Sequence, residues 1–183
     1  MKVFVTGGAG YIGSHVVRQL GEAGYDVLVY DNLSTGNAEA VLHGELVVGD
    51  LADVDLLRKT LNEFAPDAIV HFAASIEVGE SVTDPLKFFR NNTANALNLY
   101  EAAVALGINK LVFSSTAAVY GDVDGSASES DSLLPMNPYG ASKLMSERML
   151  ADLSNAVPEF NYVALRYFNV AGAEPLARIG QDY

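Results

Sequence analysis

The sequence contains no cysteine and no tryptophan, and its 11 lysines and arginines are outnumbered by 23 aspartates and glutamates. Without cysteine there is no disulfide, no thiolate metal site and no cysteine nucleophile, so no redox role is expected; this is compatible with a reducing cytoplasm, the location expected for the chain. A net charge of -12 excludes a nucleic-acid binder held by counterion release. The acidic residues are spread along the chain rather than gathered in a tail, so they solvate a surface and name no partner. No apolar run approaches the roughly 18 residues of a membrane span. The amino terminus reaches Gly7 too soon to hold the apolar core of a signal peptide. No membrane partner is expected. His15, His43 and His71 recur at intervals that suit neither a helix face nor a metal site, and no metal is expected.

What is present is a chain of 183 residues, 50% hydrophobic and 19% charged, which excludes disorder and suits one domain with one sizeable core. Lys2 to Thr6 is a β-branched and aromatic run stopped by glycines, after which Ile12, Val16, Val17 and Leu20 repeat at helical spacing until Gly24. The alternation continues with strands at Asp26–Asp31, Glu45–Asp50, Asp67–Ala73, Lys110–Ser115 and Tyr162–Phe168. Helices are expected at Asp53–Ala65, Pro85–Leu106 and Pro138–Asn155, and a polar loop at Gly121–Asn137. The strands are continuous apolar runs, as buried parallel strands require. Right-handed crossovers then predict an α/β fold: a doubly wound, mostly parallel Rossmann sheet of order 3-2-1-4-5-6 with helices on both faces. Ligands belong at the carboxyl ends of its strands.

Gly8-Ala9-Gly10-Tyr11-Ile12-Gly13 is a GxGxxG, and Gly7 extends it to GxxGxxG, between the first strand and its helix. In that context glycines let a backbone approach a pyrophosphate closely, and the helix N-terminus stabilises it. Asp31 ends the second strand, where a carboxylate accepts ribose hydroxyls. No Lys or Arg occurs between Arg18 and Arg58, so nothing nearby in sequence would neutralise a 2′-phosphate, which favours NAD over NADP.

Tyr139 and Lys143 stand four apart and share one helix face. Asn137 is a candidate N-cap and Pro138 a first-turn residue, which places Tyr139 at the positive end of the helix dipole. A phenol of pKa about 10 must lose about three units to act as a base near neutrality, on the order of 4 kcal/mol. A lysine ammonium, a helix N-terminus and an oxidised nicotinamide together could supply that. Ser114, Ser115 and Thr116 end the fifth strand at the same edge and offer a hydroxyl to a reacting oxygen, or cap the strand end. The chain has no Gly-x-Ser-x-Gly elbow and no Walker lysine, so hydrolase and P-loop classes drop out. Asn91 and Asn92 cost helix propensity in the long helix, so one of them is expected to bond to a neighbouring element.

These residues, with Asp31-Asn32-Leu33, His71-Phe72-Ala73-Ala74, Val78-Gly79-Glu80-Ser81, Ser114 to Gly121, Tyr139-Gly140-Ala141-Ser142-Lys143 and Arg166-Tyr167-Phe168-Asn169, together resemble the extended short-chain dehydrogenase/reductases. Within them the chain is similar to the UDP-glucose 4-epimerases over essentially its whole length. The resemblance implies an NAD cofactor: Gly7, Gly10, Tyr11, Ile12 and Gly13 at the pyrophosphate, and Asp31, Asn32, Leu33, Ser34, Thr35 and Gly36 around the adenosine ribose. It implies Asp50 and Leu51 at the adenine, Phe72, Ala73, Ala74, Ser75 and Ile76 along the dinucleotide, and Asn91 reaching it from the long helix. Thr116, Tyr139 and Lys143 become the catalytic group, meeting cofactor and substrate, with Phe168 against the nicotinamide and Asn169 towards the sugar nucleotide. Ile76 stands where some members have lysine, which removes a pyrophosphate contact, and Thr116 stands where serine is common, which keeps the hydroxyl.

The family continues past Asn169 into a smaller carboxyl-terminal substrate domain absent here, so residues 1–183 read as the dinucleotide-binding domain. The implied activity is NAD-dependent epimerisation at carbon 4 of a UDP-sugar such as UDP-glucose or UDP-galactose, by transient oxidation to a 4-keto sugar. Two rivals stand beside it: a nucleotide-sugar 4,6-dehydratase or decarboxylase, disfavoured by Ala117 and Ala118 where those carry acidic residues, and a non-catalytic NAD-binding module. The apolar surfaces of the helices at 85–106 and 138–155 suit either a homodimer, as the resemblance implies, or burial against the chain's own sheet.

Overall fold

The computed structural model describes residues 1–181. The expected domain limit at residue 183 lies outside them. Six strands, β1 (Lys2–Thr6), β2 (Asp26–Asp31), β3 (Glu45–Val48), β4 (Ala68–His71), β5 (Lys110–Ser114) and β6 (Asn161–Leu165), form one sheet of order β3-β2-β1-β4-β5-β6. Every pairing is parallel. This is the doubly wound order expected from the alternation of apolar runs.

Two cores lie on opposite faces of the sheet. On one, Val3, Val5, Val27 and Val29 meet Val17 of α1 (Tyr11–Glu22). On the other, Phe4, Leu28, Tyr30, Ile69, Leu111 and Phe113 pack with α2 (Val54–Phe64) and two further helices. The alternation is the period of a strand: neighbouring side chains point to opposite faces. Each large side chain buried this way contributes about 1.5–3 kcal/mol. The cover is uneven, because Val163 and Leu165 of β6 remain exposed on the α1 side.

α3 (Val78–Thr83) is a short helix the sequence periodicity did not indicate. The long helix expected at 85–106 is one helical path with a local defect. It begins as α4 (Pro85–Phe88), widens into π-type turns at Phe89–Ala94, and resumes as α5 (Asn95–Ala105). The widened turns contain both Asn91 and Asn92. α6 (Pro138–Ala156) starts as expected, with the Asn137 side chain accepting from Gly140 N at 2.8 Å and proline in the first turn. Strand ends are shorter than expected because the chain turns into polar contacts there. Asp50 accepts from Ala52 N instead of extending β3, and Arg166 leaves β6 to meet α6.

Candidate active site

The turn from β1 into α1 is shaped by its glycines. Gly7 has φ +71°, and a Cβ there would lie 2.4 Å from Ala73 N; one on Gly13 would lie 2.1 Å from Gly7 O. Both positions therefore exclude any side chain. Gly10 is the N-cap of α1 and provides no side-chain cap, and no acidic residue stands in the first turn. The amides of Tyr11, Ile12 and Gly13 thus form an uncapped, positively polarised helix end.

Asp31 locks this turn to the next loop: Oδ2 accepts from Ala9 N at 3.0 Å and Oδ1 from Leu33 N at 2.9 Å. Each oxygen keeps a lone pair for a further donor. The loop turns through Leu33 at φ +56°, with Ser34 N bonded to Asn32 Oδ1, Thr35 exposed and Gly36 packed on Ala9. Asp50 is tied by Oδ2 to the Asn32 amide at 2.7 Å, and Leu51 is buried with its carbonyl bonded to Asn98.

Behind β4, Phe72 to Ser75 are partly buried, and the segment is held by two residues of the widened helix. Asn92 accepts from Ser75 N at 2.8 Å and donates to Ser75 O at 2.9 Å and Ser142 Oγ at 3.0 Å. Asn91 donates to Ser75 Oγ. The π turns explain how two successive asparagines reach one segment. An open cavity of about 540 Å³ lies here, its walls including Asn32, Ser34, Ser75, Asn91 and the cations Lys87 and Arg90. Lys87 is paired with Glu80. The cavity therefore has basic groups near the β2 loop that sequence neighbours did not show. Ile76 is 61% exposed and brings no charge.

At the end of β5 three consecutive residues meet three successive turns of α6. The Thr116 hydroxyl lies beside the Tyr139 phenol, the Ser114 carbonyl accepts from Lys143 Nζ at 2.8 Å, and the Ser115 hydroxyl donates to Glu147 Oε1. Burial holds the Tyr139 phenol above its ordinary value, with the Thr116 hydroxyl opposing. Lys143 is 2% exposed, with its ammonium 4.9 Å from the centre of the Phe113 ring. Burial lowers its pKa to about 7, against the pull of Glu147. The lysine ammonium points under the strand edge to the Ser114 carbonyl.

His71, stacked on Phe113 and bonded to Thr6 Oγ1 at 2.6 Å, is pushed down to about 3 by burial and by Lys143. Tyr167 shares a hydrogen bond with Ser114 Oγ. Burial raises its phenol, Ser114 opposes, and the neighbouring Tyr139 adds to the rise. Phe168 is 75% exposed and Asn169 is exposed beside it.

The residues singled out in the sequence thus gather along the carboxyl edge of the sheet, with Ile76, Phe168 and Asn169 projecting from it. Glu147 was not singled out, and its partner Arg166 only as part of the motif Arg166–Asn169. Glu147 continues the spacing of Tyr139 and Lys143 by one more turn, a signal available in the sequence; its pairing with Arg166 was not.

The sequence matches the NAD dependent epimerase/dehydratase family over residues 3–181. The UDP-glucose 4-epimerase of Azospirillum brasilense is 51% identical over 182 residues, covering 98% of this chain and 52% of that protein. That of Lacticaseibacillus casei is 49% identical over 187 residues, covering 100% and 56%. The crystal structure of UDP-glucose 4-epimerase from Brucella ovis in complex with NAD superimposes with a TM-score of 0.96 at 45% identity, over 100% of this chain and 56% of that one. The chain spans about half the length of the curated relatives it matches. The sheet order agrees with the fold of that structure, and the chain belongs to the NAD dependent epimerase/dehydratase family.

Proposed function

We propose that this chain is the NAD-binding part of a nucleotide-sugar 4-epimerase acting on UDP-glucose and UDP-galactose. The observation that carries the reading is the meeting of Thr116 with Tyr139, one turn before Lys143, on the same sheet edge as the uncapped glycine turn. The residues present fit NAD. Cβ positions at Gly7 and Gly13 are excluded, the α1 amides are free for a pyrophosphate, and Asp31 retains acceptor capacity for ribose hydroxyls. Gly7, Gly10, Tyr11, Ile12 and Gly13 would hold the pyrophosphate, Asp31 to Gly36 with Asp50 and Leu51 the adenosine, and Phe72 to Ile76 with Asn91 the length of the cofactor. Phe168 would cover the nicotinamide, and Asn169 would face the sugar nucleotide.

Bound NAD would supply reversible hydride acceptance at carbon 4 of the sugar. Tyr139 as phenolate takes the proton of the 4-hydroxyl and returns it after the 4-keto sugar has turned over. Thr116 hydrogen-bonds the reacting oxygen and keeps the phenol oriented. Lys143 carries positive charge beneath the site. Burial by itself disfavours the phenolate, so Tyr139 becomes a base only where added positive charge outweighs its desolvation. The outward residues of the long helix and α6, Leu97 and Met145 among them, support a homodimer. Two measurements test the reading. Calorimetry should show NAD binding to the chain, and UDP-galactose should be turned over by a chimera of residues 1–181 with the remaining part of the Azospirillum brasilense enzyme. A chimera that folds and binds NAD but leaves both UDP-hexoses unchanged would overturn it.

A further inference from the structure

A buried lysine needs a reason to stay charged, and among the described residues the surroundings of Lys143 hold one carboxyl group, that of Glu147. On α6 itself Tyr139 lies one turn before it and Glu147 one turn after. From β4 comes His71, neutral at ordinary pH; from β5, the Ser114 carbonyl and the Phe113 ring; from α5, Tyr100, edge-on to His71. From the segment after β6 come Arg166 and Tyr167. Of these only Glu147 carries a carboxyl group, and it is 6% exposed.

Glu147 is fixed from two sides. Arg166 bonds both its oxygens, Nη2 to Oε2 at 2.6 Å and Nε to Oε1 at 3.0 Å, a two-pronged grip that sets the carboxylate plane. The Ser115 hydroxyl donates to Oε1. Arg166 is itself steadied by Tyr120, whose hydroxyl lies 3.0 Å from Nη1 and whose ring lies under the guanidinium. So exacting an arrangement exceeds what joining a helix to a strand end requires, since apolar packing would serve that purpose without burying charge.

We infer that Glu147 is a positioning residue acting through Lys143: its carboxylate, locked by Arg166 and Ser115 one helical turn from the lysine, keeps that buried lysine charged one turn below Tyr139. Residues at i and i+4 on a helix are neighbours, and an opposite charge at that range favours the ionised form. Burial alone drives Lys143 towards neutrality, and Glu147 is the group that opposes it. The pairing with Arg166 attenuates the carboxylate's pull, so the two residues set the lysine's charge jointly. The importance of that charge rests on the reading of Tyr139 and Lys143 as the reacting pair, but the charge itself can be measured without cofactor or substrate.

The test is a pH titration of the Lys143 side chain by nuclear magnetic resonance, in the intact chain labelled with ¹³C-lysine and assigned by the signal lost in Lys143→Met. Glu147→Gln should lower the midpoint by about one pH unit or more, and Arg166→Gln, which leaves the carboxylate unopposed, should raise it. Ser115→Ala, which removes a hydrogen bond and no charge, should leave it close to its starting value. A purely structural role would lower melting temperature in these variants without moving the midpoint in opposite directions. An unmoved midpoint in folded Glu147→Gln overturns the inference. Should that variant fail to fold, Arg166→Gln decides, and an unmoved or lowered midpoint overturns it. If the midpoints move as stated but the chain binds no NAD, the cofactor reading falls and this one stands.

Discussion

Lys143 gives its ammonium to the main-chain oxygen of Ser114 at 2.8 Å, on the strand that also presents Thr116 to Tyr139. One strand end thus seats both members of the Tyr–Lys pair. The contact fixes the lysine by backbone geometry rather than by a side chain, so substitution at 114 leaves it intact. It also leaves the phenol under the opposing influences of burial and Thr116 alone. On the proposed reading, the phenolate of Tyr139 would therefore depend on positive charge added by the bound cofactor.

Tyr139→Phe tests the proton-transfer role in the chimera described above. It keeps the ring, its edge contact with Phe88 and Lys143, so NAD affinity should change little while turnover falls by about 10²- to 10⁴-fold. Retention of more than a tenth of the rate would move the role to Thr116 or to water.

NAD should bind at least about tenfold more tightly than NADP, because a 2′-phosphate would face the buried Asp31 carboxylate. Arg90 in the cavity wall sets a limit on that preference, and Arg90→Gln should weaken NADP more than NAD. Calorimetry with both dinucleotides checks each point; equal affinities in the unaltered chain would refute the first.

Asn92→Ala should destabilise the chain by about 2 kcal/mol or more. It removes four side-chain hydrogen bonds, one of them the long contact from the Asn91 amide, and leaves both the amide and the carbonyl of Ser75 without their partner. Urea unfolding measures the loss. NAD binding should weaken as well, since Phe72 to Ser75 lose their anchor to the widened helix.

Lys143→Met should raise stability at pH 7 while weakening NAD binding. In the native state the lysine's pKa lies near 7, below the unfolded value, so the native state binds fewer protons between about pH 7 and 10. Stability contributed by this group therefore rises with pH across that window, by at most about 1.4 kcal/mol per unit, and is lost as pH falls towards 7. The methionine variant should lack that slope, and its advantage should shrink as pH rises from 7 to 9. A variant less stable than the parent at pH 7, with an unchanged slope, would show that the ammonium is not held against its own desolvation.

Much of the architecture follows from neighbours in sequence, whose geometry is local. Apolar runs alternate with 3.6-residue periodicity, so the six strands and their parallel order could be anticipated from residues a few positions apart. The glycine turn follows from sterics at Gly7 and Gly13, the start of α6 from Asn137 and Pro138, and the shared face of Tyr139 and Lys143 from helical spacing. These relations hold in any context that lets the element form.

Other features depend on segments distant in the chain, and only the tertiary structure decided them. Asn92 reaches Ser75 and Ser142, Thr6 meets His71, and Arg166 closes on Glu147, across separations of 17 to 65 residues. The π turns that let Asn91 and Asn92 face one segment arise from that packing and not from local propensity, which asparagine does little to express. The direction of Lys143 was beyond sequence reasoning for the same reason. Its spacing from Tyr139 placed both on one face, but desolvation, the Ser114 carbonyl and the Glu147 carboxylate determine where the ammonium sits and how strongly it is held. Burial and charge are properties of the assembled interior, and no stretch of chain carries them alone.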